Sequence, residues 1–418
     1  METLSLAISR KQQKTDTMAA WCGIIWFNLI IDACYTWFLP TFYRLGIGAI
    51  FIVVATMILT SEGGGKTSSQ KGMMIIPLIM LLLYFILVKQ QNFLTTVFTF
   101  IPLICVACWR TSSLLKFYEF FKNYIVFYAI VSIIVEGLVL SGLWKALPHM
   151  VYPPQDAIQE SQGINNFFYG LFCIPTNGFF SIYRACGPLR EGGHFSFFVG
   201  FVYFVENVLY GRRNKWLIIA GLLTLSPNFL LFLLVAESYS GIFERRFFKV
   251  LAWIVGSISV FVVLAYYAPQ YLKDQVVHVV MERTLERNIE NMGDEGFMAL
   301  IDGRASINGL MMYDSFTKSD AVIQLFGFSK IGEDYTMSDF RYVLLRFGYI
   351  GMILYLLSFL AFTVVREKNV YGICVLLMLM IVFIQRAWMF NQVYFWVMAL
   401  LIINKKQSHE TLKSKKVD

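Results

Sequence analysis

Two groups of arginines and acids, each placed just before an apolar stretch, are the residues best suited to chemistry. In the first group, Arg184, Arg190, Glu191 and His194 fall within eleven residues, among glycines and a proline. Guanidinium groups are planar donors that suit phosphate oxygens, and a carboxylate or an imidazole can take a proton from a hydroxyl group. Glycine lets the backbone approach a ligand closely. The pattern predicts a site for a phosphorylated ligand, while the plainer interpretation is an interfacial turn whose arginines reach the membrane surface.

The second group begins with Arg304 and continues at the start of a long apolar stretch. Asp339 and Arg341 stand at that start, and Arg346 follows about one helical turn later. These arginines are further candidates for phosphate binding, and Asp339 is a further candidate base. The sequence has neither zinc-ligand spacing nor a D-x-D motif, so we expect no metal and no cofactor.

The composition predicts an all-α polytopic membrane protein with about twelve transmembrane helices. Hydrophobic residues make up 57% of the 418 residues and charged residues only 15%, whereas a soluble chain carries about 25% charged residues. A membrane helix needs about 20 apolar residues. The candidate spans lie near 20–38, 43–60, 73–88, 93–109, 120–143, 195–210, 247–267, 341–365, 370–385 and 388–403, with two shorter helices near 214–226 and 228–243.

The two shorter helices, 214–226 and 228–243, are predicted from Pro227 and from the positions of the basic residues on either side of it. Pro227 lies midway between two basic clusters, and proline disfavours a helix at the residue before it. A hairpin there places both clusters on the cytoplasmic side, so that most of the 35 Lys and Arg are inside and both termini are cytoplasmic. The net charge of +8 is then a topology signal, and we expect no nucleic-acid partner.

This topology makes residues 1–418 a single integral membrane domain with two large outer segments. The first outer segment covers 144–194 and the second covers 268–340, while 404–418 form a cytoplasmic tail. The candidate site residues lie within these two segments or just after them. Water-exposed chemistry is therefore predicted for the outer face.

Four acids fall inside the predicted spans and favour a different kind of protein. Ionisable groups within a membrane are costly and usually face a cavity or a partner, as they do in proton-coupled transporters. A transporter is therefore a rival interpretation. The four acids are Asp32, Glu136, Glu206 and Glu237.

Two cysteines, Cys173 and Cys186, lie in the first outer segment. In a bacterial inner-membrane protein this segment faces an oxidising compartment, where disulfides persist. The sequence leaves open whether the two thiols are close enough to bond.

Three local patterns resemble those of the bacterial O-antigen and polysaccharide polymerases (Wzy-type) and the related O-antigen ligases. Residues 184–195 resemble the family's R-x-x-G-x-x-x-E-P-G stretch, with Gly192 in place of the usual proline. Residues 224–226 resemble its short serine-centred turn. Residues 325–351 are similar to the segment that closes its large outer loop.

The resemblance implies a polysaccharide polymerase on the periplasmic face of the bacterial inner membrane. It implies a growing glycan on undecaprenyl pyrophosphate as donor and a lipid-linked repeat unit as acceptor, joined by inverting, metal-independent glycosyl transfer. Membrane lipids and a chain-length regulator would be further partners. In this interpretation Glu191, Asp339 or His194 is the base, and the pyrophosphate is bound by Arg184, Arg190 and Arg304, with Arg341 or Arg346 next.

Other membrane proteins remain as alternatives. An O-antigen ligase transfers the glycan to lipid A core and tends to carry a histidine near the position of Asp339, so its absence here favours the polymerase. A glycosyltransferase of another membrane family more often has a large soluble C-terminal domain. A lipid-linked oligosaccharide flippase or secondary transporter should have inverted repeats with broken helices at matching positions, and the sequence has no such symmetry.

Overall fold

The computed structural model describes most of the predicted spans and only part of the outer segments. The described residues are mostly helical. They divide into two compact units, the first containing the described residues up to 124 and from 307 onward, and the second containing those from 125 to 243. The described ranges are 12–25, 41–61, 69–89, 93–152, 165–176, 184–189, 192–243, 307–328, 339–364 and 393–403, together with 378, 380–384 and 386.

Most of the helices coincide with apolar stretches, while α9 and α10 lie in the second outer segment. Helix α3 is continued by a π-helical turn at Tyr84–Val88. The helices are α1 (12–25), α2 (Thr41–Ser61), α3 (Ser69–Leu83), α4 (Phe93–Cys108), α5 (Thr111–Leu140), α6 (Gly192–Tyr210), α7 (Lys215–Leu223), α8 (Pro227–Phe243), α9 (Ile307–Thr317), α10 (Ala321–Phe326), α11 (Phe340–Val364) and α12 (Val393–Ile403).

Two of these helices are long and apolar enough to cross a membrane, namely Thr111–Leu140 and the Phe340–Leu357 part of α11. Four further apolar helices in the described ranges are shorter: Leu45–Ser61, Ile75–Val88, Thr96–Cys108 and Asn228–Tyr239. The predicted helical class is thus confirmed for the described residues, which are mostly helical and include two candidate membrane helices, whereas the predicted count of twelve is not supported. The predicted span 247–267 lies outside the described residues, as do most of 20–38 and 370–385.

Helix α5 begins earlier than its predicted span at 120. It contains 30 residues, which corresponds to about 45 Å, longer than the hydrocarbon core of about 30 Å. Its first turns are polar, and Lys116 Nζ bonds Glu119 Oε2 at 2.6 Å. Ion pairs three residues apart stabilise a helix, so the charged residues extend α5 where the prediction placed a loop.

The predicted hairpin around Pro227 is confirmed by the ends of α7 and α8. Helix α7 ends at Leu223, Leu225 has a positive φ of 47°, and the next helix starts at Pro227. Proline suits the first position of a helix because its missing N–H would have no partner there. The chain therefore reverses direction within three residues.

Helices α6 and α8 lie side by side and run in the same direction, because their contacts advance together. Ser196 bonds Ser226 near the start of both helices, and Asn207 bonds Glu237 further along. A Cβ on Gly200 would stand 2.6 Å from the ring of Phe232, so glycine is what permits the close packing. The starts of α6 and α8 therefore lie at one end of the unit, with the end of α7.

The first outer segment contains a three-stranded antiparallel sheet that the all-α prediction missed. Its strands are β1 (Met150–Tyr152), β2 (Asn165–Phe168) and β3 (Cys173–Thr176), in the order β1-β2-β3. Residue Phe167 pairs with Val151 on one side and with Ile174 on the other. The sheet packs on the end of α5 through a cluster of buried residues: Val135, Val139, Trp144, Ile174 and Ala185.

Candidate functional site

Arg184 lies in the second unit, beside the turn between α7 and α8. Its Nε donates to the carbonyl oxygen of Thr224 at 3.0 Å and its Nη2 to that of Leu225 at 3.5 Å. The last carbonyls of a helix lack helical partners and carry partial negative charge, so a guanidinium group stabilises them. Arg184 therefore holds the turn in place, whatever else it binds.

The starts of α6 and α8 lie at this same end, which we call the Arg184 end (Arg184, Gly192, Ser196, Thr224 and Ser226). A Cβ on Gly192 would stand 3.0 Å from the Thr224 carbonyl oxygen, and Ser196 Oγ bonds Ser226 Oγ at 3.0 Å. The first N–H groups of a helix have no helical acceptors and favour negative charge. The N–H groups of two helix starts and a guanidinium group thus lie at one end, beside the last carbonyls of α7, and helix-start N–H groups of this kind can bind an anion.

Asn228 adds a buried polar group to the first turn of α8. Its side chain is buried, and its Oδ1 has no hydrogen-bond partner among the described residues. His194, a predicted base, lies half-buried in the first turn of α6. The predicted site residues Arg190 and Glu191 lie outside the described residues.

Asp339 and Arg341, which the sequence assigned to different roles, form one buried ion pair in the first unit. Arg341 Nε and Nη2 bond the two Asp339 oxygens at 3.1 and 2.8 Å, and the Arg341 and Asp339 side chains are 1% and 0% exposed. Asp339 Oδ1 also accepts the backbone N–H of Arg341 at 2.8 Å, as an N-terminal capping residue does. The Arg341 guanidinium lies over the ring of Tyr313. The Asp339 and Arg341 side chains therefore bond each other at the first turn of α11, where Asp339 is the capping residue.

Arg346 lies one turn further along α11 and has different surroundings. It bonds the hydroxyl group of Tyr342, and its guanidinium lies 5.7 Å from the ring centre of Phe347. Lys89 is a cation nearby: its pKa is lowered by burial and, to a smaller extent, by the charge of Arg346. No carboxylate in the described ranges pairs with Arg346 or Lys89. Lys89 Nζ donates to the carbonyl oxygens of Phe326 and Phe328 at 2.7 and 2.9 Å, so this cation holds the chain that follows α10.

Helix α11 is interrupted at Gly348, close in sequence to Arg346. Gly348 has a φ of 66° within the helix, and a Cβ there would stand 2.3 Å from the Leu325 carbonyl oxygen, so only glycine fits. The Phe328 N–H bonds the Leu345 carbonyl at 2.8 Å, and the Tyr84 hydroxyl bonds the Phe347 carbonyl at 2.7 Å. The interruption is therefore stabilised by bonds from two other parts of the unit.

The predicted site residues that the structure describes belong to both units. Arg341 lies with Asp339 and one turn from Arg346 in the first unit, whereas Arg184 and His194 lie in the second. Arg304 lies outside the described residues. A shared pocket for arginines from both outer segments stays a prediction.

Glu237, one of the acids singled out inside the spans, belongs to a paired network that the sequence did not reveal. Arg213 Nε and Nη2 bond its oxygens at 2.9 and 2.7 Å, and Asn207 Nδ2 bonds Oε1 at 2.9 Å. The Tyr203 hydroxyl also donates to Oε1. The acid was visible in the sequence, but its partners are brought together only by the packing of α6 against the hairpin.

The two cysteines of the first outer segment are buried thiols. Cys186 Sγ donates to the Arg184 carbonyl oxygen at 2.9 Å. Cys173 Sγ lies 3.7 Å from Asn166 Oδ1. The two thiols are therefore packed into different surroundings.

No protein-family model matches the chain, and no curated protein or solved structure matches it either. Within the described ranges, no group of three or more His, Cys, Asp or Glu residues could hold a metal ion. The residues and their geometry are therefore the basis on which a function is assigned.

Proposed function

We propose that the chain is a polysaccharide polymerase of the bacterial inner membrane, with about twelve transmembrane helices and two large periplasmic segments. Its reaction is the transfer of a growing glycan from undecaprenyl pyrophosphate to a lipid-linked repeat unit, with inversion at the anomeric carbon. The proposal rests on the resemblance of three local patterns and on one structural observation: a guanidinium group beside two helix starts at the Arg184 end.

The main requirement of this reaction is stabilisation of the negative charge that develops on the leaving pyrophosphate. The acceptor hydroxyl attacks the anomeric carbon, the bond from that carbon to the phosphate oxygen breaks, and its electron pair leaves with the lipid pyrophosphate. Donors fixed in advance around a developing anion are usually the largest contribution to such catalysis. Arg184 and the N–H groups that begin α6 and α8 would supply these donors, with Arg190 and Arg304 as further arginines. The proton of the acceptor hydroxyl needs a base.

The direct test replaces Arg184 in cells that depend on this chain for polymer. Arg184→Ala should shorten the polymer ladder to one or a few repeat units, whereas Arg184→Lys should retain part of the length because it retains the charge. Membrane levels of the variants are measured alongside, since Arg184 also holds the α7–α8 turn. Arg212→Ala, an exposed arginine after α6, is the matched control and should leave the ladder unchanged.

If Arg184→Ala is present in the membrane at the normal level and the polymer has the same length distribution as with the parent chain, the assigned site is wrong. Loss of the chain itself separates polymerase from ligase. A polymerase null leaves a single repeat unit on the lipid A core, whereas a ligase null leaves none.

The break in α11 favours a second candidate, a flippase or secondary transporter for lipid-linked oligosaccharide. Broken helices are typical of transporter binding sites, and Gly348 interrupts a candidate membrane helix two residues after Arg346, whose charge acts on Lys89. Purified chain in proteoliposomes distinguishes the two. Movement of the lipid-linked substrate across the bilayer without chain elongation would support transport.

A further inference from the structure

Helix α5 carries two polar side chains on its buried face. Ser132 and Glu136 lie one turn apart and are only 1% and 8% exposed, and the neighbouring Val135 and Val139 are buried as well. Ile134, on the opposite face, is exposed. The two polar groups therefore point toward the protein and not toward surrounding lipid.

Neither polar group is satisfied within the part of the chain that the structure describes. Ser132 Oγ and Glu136 Oε2 are buried and have no hydrogen-bond partner among these residues. Leaving a buried polar atom unbonded is costly, and leaving a buried carboxylate unbonded is more so. Catalytic sites are one of the places where native proteins keep such buried, unbonded polar groups.

The two atoms define what kind of group would satisfy them. A carboxylate oxygen accepts a hydrogen bond, and a serine hydroxyl can donate one. A ligand hydroxyl matches both, because it donates to Glu136 Oε2 and accepts from Ser132 Oγ. A hard cation fits less well, since Ca²⁺ takes six to eight oxygen ligands and these side chains supply few.

The position of the pair links it to the Arg184 end. Val135 and Val139, which flank Glu136 on the same face, pack in one cluster with Ala185, and Leu223 lies against that cluster. Ala185 follows Arg184, and Leu223 precedes Thr224, whose carbonyl accepts from Arg184. The face that carries Glu136 is therefore packed against the segments that carry the candidate pyrophosphate site.

We infer that Glu136 is the catalytic base of the proposed glycosyl transfer and that Ser132 helps it bind the acceptor hydroxyl. The inference rests on the proposed function. The acceptor oxygen forms the new bond to the anomeric carbon, the bond to the phosphate oxygen breaks, and the lipid pyrophosphate keeps that electron pair. The hydroxyl proton moves to Glu136 Oε2.

Two other buried acids of the described ranges, Asp339 and Glu237, are less suited to this role. Asp339 is held by both nitrogens of Arg341, and Glu237 is held by Arg213 and Asn207. A carboxylate bonded in this way has fewer lone pairs open to a substrate proton. Glu136 Oε2 has no such partner among the described residues.

The first test compares two Glu→Gln variants of the same helix in cells that depend on the chain for polymer. Glu136→Gln keeps the size of the side chain and removes its basicity, so polymer synthesis should fall by about 10²–10⁴-fold, the usual contribution of a positioned base. Glu136→Asp should retain part of the activity. Glu119→Gln, which removes only a half-exposed ion pair with Lys116, should leave the ladder unchanged.

The outcomes separate this inference from the proposed function. A ladder that does not depend on the chain at all overturns the proposed function and the role of Glu136 with it. A ladder that depends on the chain and is normal in Glu136→Gln overturns the inference alone.

A second test measures the carboxyl group without measuring activity. The full-length chain in detergent is treated with dicyclohexylcarbodiimide, which adds to carboxyl groups in apolar surroundings, and the modified residues are identified by mass spectrometry. Glu136 should react faster than the paired Glu237, and lipid-linked repeat units should slow its reaction at least several-fold. Equal reaction at the two acids, or no protection by repeat units, would overturn the inference.

Discussion

Glu136 and Glu237 are the same residue type in two apolar helices of one unit, and they are 8% and 7% exposed. Glu237 is bonded by Arg213, Asn207 and Tyr203, whereas Glu136 Oε2 has no hydrogen-bond partner in the described ranges. Burial alone therefore does not distinguish an acid that stabilises the fold from an acid that is kept for a ligand. The hydrogen-bond partners of each carboxylate do distinguish the two kinds of acid. Variants that remove a partner therefore test the distinction.

The largest effect on stability is expected where an ion pair is buried completely. Asp339→Ala leaves the Arg341 guanidinium buried without its carboxylate, and this should lower the free energy of unfolding by about 3–5 kcal/mol. Denaturant unfolding of the purified chain in detergent measures the loss. Asp314→Ala, which breaks an exposed pair with Lys318, should cost at most about 1 kcal/mol. Equal losses in the two variants would contradict the role given to the Asp339–Arg341 pair.

A smaller effect is expected when the partner of Glu237 is removed. Because the Arg213 side chain is 38% exposed, Arg213→Met should cost between the ~1 kcal/mol of an exposed pair and the ~3–5 kcal/mol of a buried one. The variant also makes Glu237 resemble Glu136, so Glu237 should gain reactivity toward carbodiimide. Arg212→Met is the neighbouring control. If Glu237 in Arg213→Met stays as unreactive as in the parent, the contrast between the two acids is wrong.

The smallest effect concerns the segment that covers the end of α5. The Tyr169 hydroxyl donates to the Trp144 carbonyl at 2.8 Å, and Tyr169→Phe should cost about 1 kcal/mol. Burial, helped by Cys173, raises the pKa of Tyr169 from 10.0 to about 12. The folded state therefore holds this proton more tightly than the unfolded state, so the stabilisation is complete below pH 10 and is lost as the pH rises to about 12.

Unfolding measured across this pH range checks the assignment of the Tyr169 proton. The parent should lose stability between pH 10 and pH 12, and Tyr169→Phe should lose less. A decline of the same size in the variant would show that other groups cause it.

Features set by neighbouring residues were predictable from the sequence. The hairpin around Pro227 and the bounds of α4 and α6 follow from proline chemistry and from the length of apolar stretches. The Asp339–Arg341 pair could also have been recognised, since an aspartate just before a helix is a common capping residue.

Features set by distant residues were not predictable. The break at Gly348 depends on contact with Leu325, and the partners of Glu237 meet only through the packing of three helices. The sheet strands have three or four residues each, too few for a clear alternating pattern. Lys89, whose Nζ donates to the carbonyl oxygens of Phe326 and Phe328, carried no signal in the sequence.

Chain elongation by the purified protein is the measurement that tests the proposed function most directly. The full-length chain in lipid nanodiscs is incubated with undecaprenyl pyrophosphate-linked repeat units, without nucleotide sugar and with a chelator present. Mass spectrometry should detect lipid-linked chains of two and more units, with one free undecaprenyl pyrophosphate released for each bond formed. Lipid-linked single units that remain unchanged in the presence of the folded protein would contradict the account.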